Sequence, residues 1–70
     1  MSAQISLTVN GEPRRAPVGS SIADLVALIG LNPAKVAVER NGEIVRRGTH
    51  GDVMLGEGDI VEIVHFVGGG

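Results

Sequence analysis

Apolar residues begin the chain at every second position. Ile5, Leu7 and Val9 alternate with Ser6 and Thr8, the period of a strand with one buried face. Asn10-Gly11 follows, a pair that readily takes the positive φ angles of a two-residue hairpin turn. The returning residues 12–18 contain Pro13 and Pro17, which cannot donate ladder hydrogen bonds, so this segment is expected to be an edge strand or partly irregular. The period then changes. Ile22, Leu25, Val26 and Ile29 recur at i, i+3, i+4 and i+7, which makes one apolar stripe along a helix. Ser21 stands where its side chain can cap the first free amides, and Asp24 completes the spacing of a capping box on the positive helix end. Gly30 suits a left-handed C-terminal position, and Asn32-Pro33 prevents continuation.

Val36-Ala37-Val38-Glu39-Arg40 reads as a third strand, and a second Asn-Gly pair, Asn41-Gly42, turns it into Glu43-Ile44-Val45. Between residues 46 and 59 the pattern loosens around Gly48, Gly51, Gly56 and Gly58; Val53, Met54 and Leu55 are expected to fold back over the sheet edge. Ile60-Val61-Glu62-Ile63-Val64 is nearly continuous in apolar residues, which suits a strand that is central or covered on both sides. A single helix can cover only one face of a sheet, so the class is α+β. With the last strand beside the first, residues 12–18 form one edge and residues 43–45 the other. That arrangement is a β-grasp (ubiquitin-like) mixed sheet, one domain over residues 1–70.

Composition narrows the function. A chain of 70 residues, 43% of them hydrophobic, can attempt one small core. No stretch approaches the roughly 20 apolar residues that span a bilayer, and no hydrophobic N-terminal block resembles a signal peptide. The expected location is the cytoplasm, away from membranes. Cysteine is absent, which excludes disulfides, thiolate metal ligands and cysteine nucleophiles. A net charge of −2 and a single aromatic residue, Phe66, argue against nucleic acid. His50 and His65 are the only histidines, and neither has a carboxylate or second histidine at ligand spacing, which argues against a metal site. The inventory favours a carrier or binding module over an enzyme.

The sharpest feature is a hydrophobic strand that runs into Val67 and then Gly68-Gly69-Gly70. Three residues reach about 10 Å when extended. Glycines lack a Cβ, so residues 67–70, read as a flexible tail, can enter a channel too narrow for any other residue. Such a tail would deliver the Gly70 carboxylate to a partner's active site while the body stays outside. An ionised carboxylate is a poor electrophile. Adenylation by ATP would supply a leaving group, and a sulfur donor could then convert the acyl group into a thiocarboxylate.

The combination of Asn10-Gly11-Glu12, residues 21–25, residues 36–45, residues 58–64 and the ending Val67-Gly68-Gly69-Gly70 resembles the ThiS family over essentially the whole chain. These are ubiquitin-like sulfur carriers of bacterial thiamine (thiazole) biosynthesis. The resemblance implies that a ThiF-like, E1-type enzyme adenylates Gly70 with ATP and magnesium, the carrier itself binding no cofactor. It implies that sulfur arrives from cysteine through a desulfurase relay, and that a ThiG-like thiazole synthase receives it. By carry-over, Gly70 bears first the adenylate and then the sulfur, Gly68 and Gly69 form the threading segment, and Val67 is its root. A MoaD-like carrier for molybdopterin or another metabolite shares this chemistry. A β-grasp interaction module without covalent chemistry is the alternative of a different class.

The remaining polar residues have plainer readings. His65, just past the apolar run, is expected at a strand end, and His50, in a glycine-rich loop, is expected to face solvent. Arg14-Arg15 and Arg46-Arg47 read as solvated surface; were both pairs on one side, they could meet acidic residues of an activating enzyme. Lys35 is a loop residue. Phe66 is either a partner-binding anchor at the root of the tail or a plug at the end of the strand.

Overall fold

The computed structural model describes residues 3–66, so Val67, Gly68, Gly69 and Gly70 lie outside the described residues. The elements are strands β1 (Gln4–Val9), β2 (Glu12–Pro17), β3 (Val36–Arg40), β4 (Glu43–Val45) and β5 (Ile60–His65), with helix α1 (Ile22–Leu28) between β2 and β3. Short 3-10 turns occupy Pro33–Lys35 and Arg47–Thr49. The sheet order is β2-β1-β5-β3-β4. β5 lies parallel to β1 and antiparallel to β3, so the last strand is indeed central and the two hairpins flank it. This is the mixed β-grasp sheet with one helix across one face.

The two Asn-Gly pairs take positive φ at both residues, 51° and 81° for Asn10 and Gly11, 52° and 85° for Asn41 and Gly42, as two-residue hairpin turns of this twist require. The asparagines do more than tolerate the angle. Asn10 Nδ2 donates to the Ile63 carbonyl at 3.1 Å, and its Oδ1 accepts from Ile63 N–H at 2.7 Å. Asn41 Oδ1 accepts from Ile60 N–H at 2.9 Å. Each turn is thereby clipped onto β5, which ties both hairpins to the strand that leads into the tail.

Helix α1 is only seven residues long, too short to persist alone in water. Its capping box is complete: Ser21 Oγ accepts from Asp24 N–H at 3.1 Å, and Asp24 Oδ2 accepts from Ser21 N–H at 2.9 Å. Packing supplies the rest. Ile22, Leu25 and Val26 are fully buried in one cluster with Leu7, Val9, Val36, Val38, Val61 and Ile63.

Val53, Met54 and Leu55 return to the sheet edge: Val53 lines a shallow depression with Glu43, Ile44 and Val45 of the edge strand β4. Val53 O also accepts from Ile22 N–H, Leu55 N–H donates to Ser20 O, and Met54 bridges Ser21, so the segment is paired with the entry to the helix. Of the two readings of the last strand, central or covered on both sides, the structure shows the first: Val61 and Ile63 are buried, while Ile60, Glu62 and Val64 are exposed.

The turn into β5 is held by Asp59. Its carboxylate accepts from Gly56 N–H at 2.8 Å, Arg40 Nε at 2.8 Å and Asn41 Nδ2 at 3.0 Å. Burial alone would raise its pKa, but these three donors together hold the carboxyl below its ordinary value. A lowered folded-state pKa contributes stability that is present above the unfolded value of about 4 and lost as pH falls through the folded one. Asp59→Ala, which orphans these donors, is expected to lower stability by about 2 kcal/mol at pH 7. The deficit should shrink as the pH is lowered through the acidic range, and urea unfolding across pH 7 to 3 checks both the loss and its direction.

Candidate functional site

The tail follows the central strand of the sheet in sequence. β5 is hydrogen-bonded on both sides, and its last residue, His65, lies opposite Val36. Phe66 is fixed one residue further, because its N–H donates to the Lys35 carbonyl at 2.8 Å. The chain therefore remains pinned up to the residue before Val67.

Phe66 lies outside the buried core cluster, and its side chain is 43% exposed. The strand-end plug is thus excluded. The Arg47 guanidinium carbon stands 5.4 Å from the centroid of the ring, within the range of a cation–π contact. Arg47 arrives there because β4 ends at Val45 and the 3-10 turn Arg47–Thr49 follows directly. The root of the tail thus presents an aromatic ring partly covered by a cation. Nothing in the sequence signals this pairing, since Arg47 lies in an aperiodic, glycine-rich stretch.

Arg14 and Arg15 sit on β2, at one edge of the sheet, while Arg46 and Arg47 follow β4 at the other. The two pairs do not form one patch. His65 is exposed at the strand end, as expected.

His50 overturns its expectation. It is buried, with 4% of its surface exposed. Backbone bonds draw its loop under the helix entry: His50 O accepts from Ala23 N–H, and Thr49 O accepts from Asp52 and Val53 N–H. Among the described residues, neither Nδ1 nor Nε2 has a hydrogen-bond partner. Replacing an unsatisfied buried polar group by an apolar one of similar size is neutral or favourable. His50→Leu is therefore expected to match or exceed the wild-type urea midpoint at pH 7.5. A loss above about 1 kcal/mol would mean that the imidazole is hydrogen-bonded.

A family model described as the ThiS family matches residues 7–70. A thiazole synthase from Magnetococcus marinus is 48% identical over 66 residues, which cover 94% of this chain and 20% of that protein. A second thiazole synthase, from Paramagnetospirillum magneticum, is 41% identical over 66 residues, with the same coverage of 94% and 20%. The chain thus spans a fifth of the length of these two relatives. The sulfur carrier protein ThiS of Bacillus subtilis is 48% identical over 50 residues, 71% of this chain and 76% of that protein. The crystal structure of a thiamine biosynthesis protein (ThiS) from Geobacter metallireducens superposes with a TM-score of 0.76 at 35% identity, covering 94% of this chain and 100% of that one.

Proposed function

The chain belongs to the ThiS family, and from that premise we propose that it is a sulfur carrier of thiamine biosynthesis, loaded at the carboxylate of Gly70. The single observation that carries this reading furthest is the pinned central strand: β5 and Phe66 are held by backbone bonds up to the last residue before Val67-Gly68-Gly69-Gly70. A rigid body with a side-chain-free end suits delivery of a carboxylate into a narrow site.

In this reading the Gly70 carboxylate attacks the α-phosphorus of ATP on a ThiF-like activating enzyme, which supplies magnesium and releases pyrophosphate. A persulfide supplied by a desulfurase relay then attacks the acyl carbon and displaces AMP, giving an acyl disulfide, and a second thiol of the relay cleaves its S–S bond, leaving as a protein disulfide and releasing the C-terminal thiocarboxylate. A ThiG-like thiazole synthase takes the sulfur. The two relatives named thiazole synthase, each containing 66 residues similar to this chain, support that recipient. The carrier is a co-substrate, not an enzyme, and Phe66 with Val67, Gly68 and Gly69 is what the partner enzymes grip. No helix among the described residues is long and apolar enough to cross a membrane, and loading by ATP places the carrier in the cytoplasm.

Incubation with ATP, magnesium, the activating enzyme and a sulfur source tests this. The intact mass is expected to rise by one oxygen-to-sulfur exchange, localised to Gly70. A chain that keeps its original mass under these conditions is a non-covalent module.

A further inference from the structure

Past Ile63 the last strand is held from one side only. β1 pairs with it at Ile60 and Val61, and the Asn10 side chain takes both backbone groups of Ile63. Beyond that point, among the described residues, its backbone bonds run to the β3 side alone: His65 lies opposite Val36, and Phe66 N–H reaches the Lys35 carbonyl. One bond places the Phe66 backbone but does not orient its ring. The ring is exposed and stands outside the core cluster, so core packing does not choose among its χ1 rotamers.

Arg47 does. Its guanidinium carbon stands 5.4 Å from the ring centroid, and the turn that carries it is tied down. Thr49 N–H and Thr49 Oγ1 both donate to the Arg46 carbonyl, at 2.9 and 2.7 Å. No carboxylate competes for the guanidinium. Glu39 and Glu62 stand opposite each other on β3 and β5 and make no ion pair with it; the ion pair found among the described residues joins Arg40 to Asp59. Arg47 is exposed and could turn into water. It lies instead over the only aromatic ring in the protein.

We propose that Arg47 is a positioning residue for loading: it holds the Phe66 ring in the orientation in which the activating enzyme takes it. This rests on the carrier reading, in which Phe66 is part of what the partner grips. The advantage is preorganisation. An anchor already in its bound rotamer loses less freedom on binding, and a cation–π contact at an exposed site favours that rotamer by a factor of about two to five. The gain therefore lies in binding the carrier, not in the chemical step. Arg14, on β2 at the far edge of the sheet, has the same charge and no ring to hold.

Kinetics of ATP-dependent loading, with the carrier as the varied substrate of the activating enzyme, test this. Arg47→Gln is expected to raise KM about two- to fivefold at unchanged kcat, the mark of lost binding, while keeping the wild-type urea midpoint. Arg47→Lys, which returns a cation to the ring, should recover most of the loss, and Arg14→Gln should match the wild type. In the Phe66→Leu background, Arg47→Gln should change KM no further. An arginine that met an acidic residue of the enzyme directly would show its full effect there. The contact also has its own signature. With one aromatic ring in the chain, an upfield shift of the Arg47 side-chain protons in NMR spectra reports Phe66 alone, and it should vanish in Phe66→Leu. If the wild type is loaded, three results would each overturn this inference alone: an unchanged KM for Arg47→Gln, the same rise in the Phe66→Leu background, or no upfield shift. A wild type that is never loaded overturns the carrier reading, and this role with it.

Discussion

Deleting Gly70, or adding one alanine after it, is expected to abolish formation of the thiocarboxylate while leaving the urea midpoint within about 0.5 kcal/mol of wild type. Both variants leave residues 3–66 untouched, and among the described residues every backbone bond that pins the root, the last being Phe66 N–H to Lys35 O, lies upstream of the change. Stability therefore has no reason to move. Adenylation, by contrast, is an in-line attack by one oxygen on phosphorus, and its rate depends on placement to a fraction of an ångström. Shortening the tail by one residue withdraws the carboxylate by about 3.4 Å. The added alanine moves it as far in the other direction and places a Cβ where the chain has had none. Intact mass after incubation with the activating enzyme reads the outcome. Loading of either variant at the wild-type rate would contradict the assignment of Gly70.

What could be read before folding, and what could not, divides by the range of the interactions. The strands, the two Asn-Gly turns and the capping box of Ser21 and Asp24 are set by residues within a few positions of one another, and they appear where the pattern places them. Residues 46–59 are different. Their glycines give no period, and their path is decided by backbone bonds to Ser20, Ile22 and Ala23, far off in sequence. This is why His50 is buried against expectation. In the strand Ile60–His65 the limit is subtler: Ile60 and Val64 are as apolar as Val61 and Ile63, so composition cannot say that the first pair faces outward. The facing of Glu39 and Glu62 depends on the register of two strands joined by no hairpin. The tail itself is a matter of sequence alone, and its chemistry stands on Gly68, Gly69 and Gly70 as residue types.

Leu25→Ala should cost about 3 kcal/mol, within the range for buried leucines. For a chain of this size the whole folding free energy is only about 4–10 kcal/mol. Leu25 has none of its surface exposed, and it lies on the face of a seven-residue helix that the sheet must hold in place. No local helical preference remains to compensate once the side chain is gone. Leu28, on the same helix but 59% exposed, provides the control: Leu28→Ala should change stability by less than about 1 kcal/mol, because little apolar surface is returned to water. The contrast bears on function. Leu25 and Val61 belong to one buried cluster, and Val61 is on the strand that ends at the root of the tail. A loosened core should therefore weaken the fixed point from which Gly70 is presented. Near the urea midpoint of the Leu25→Ala variant, loading should fall in proportion to the folded fraction, whereas Leu28→Ala should load like wild type. Equal stability of the two variants in urea would show that the apolar stripe of the helix is not what binds it to the sheet.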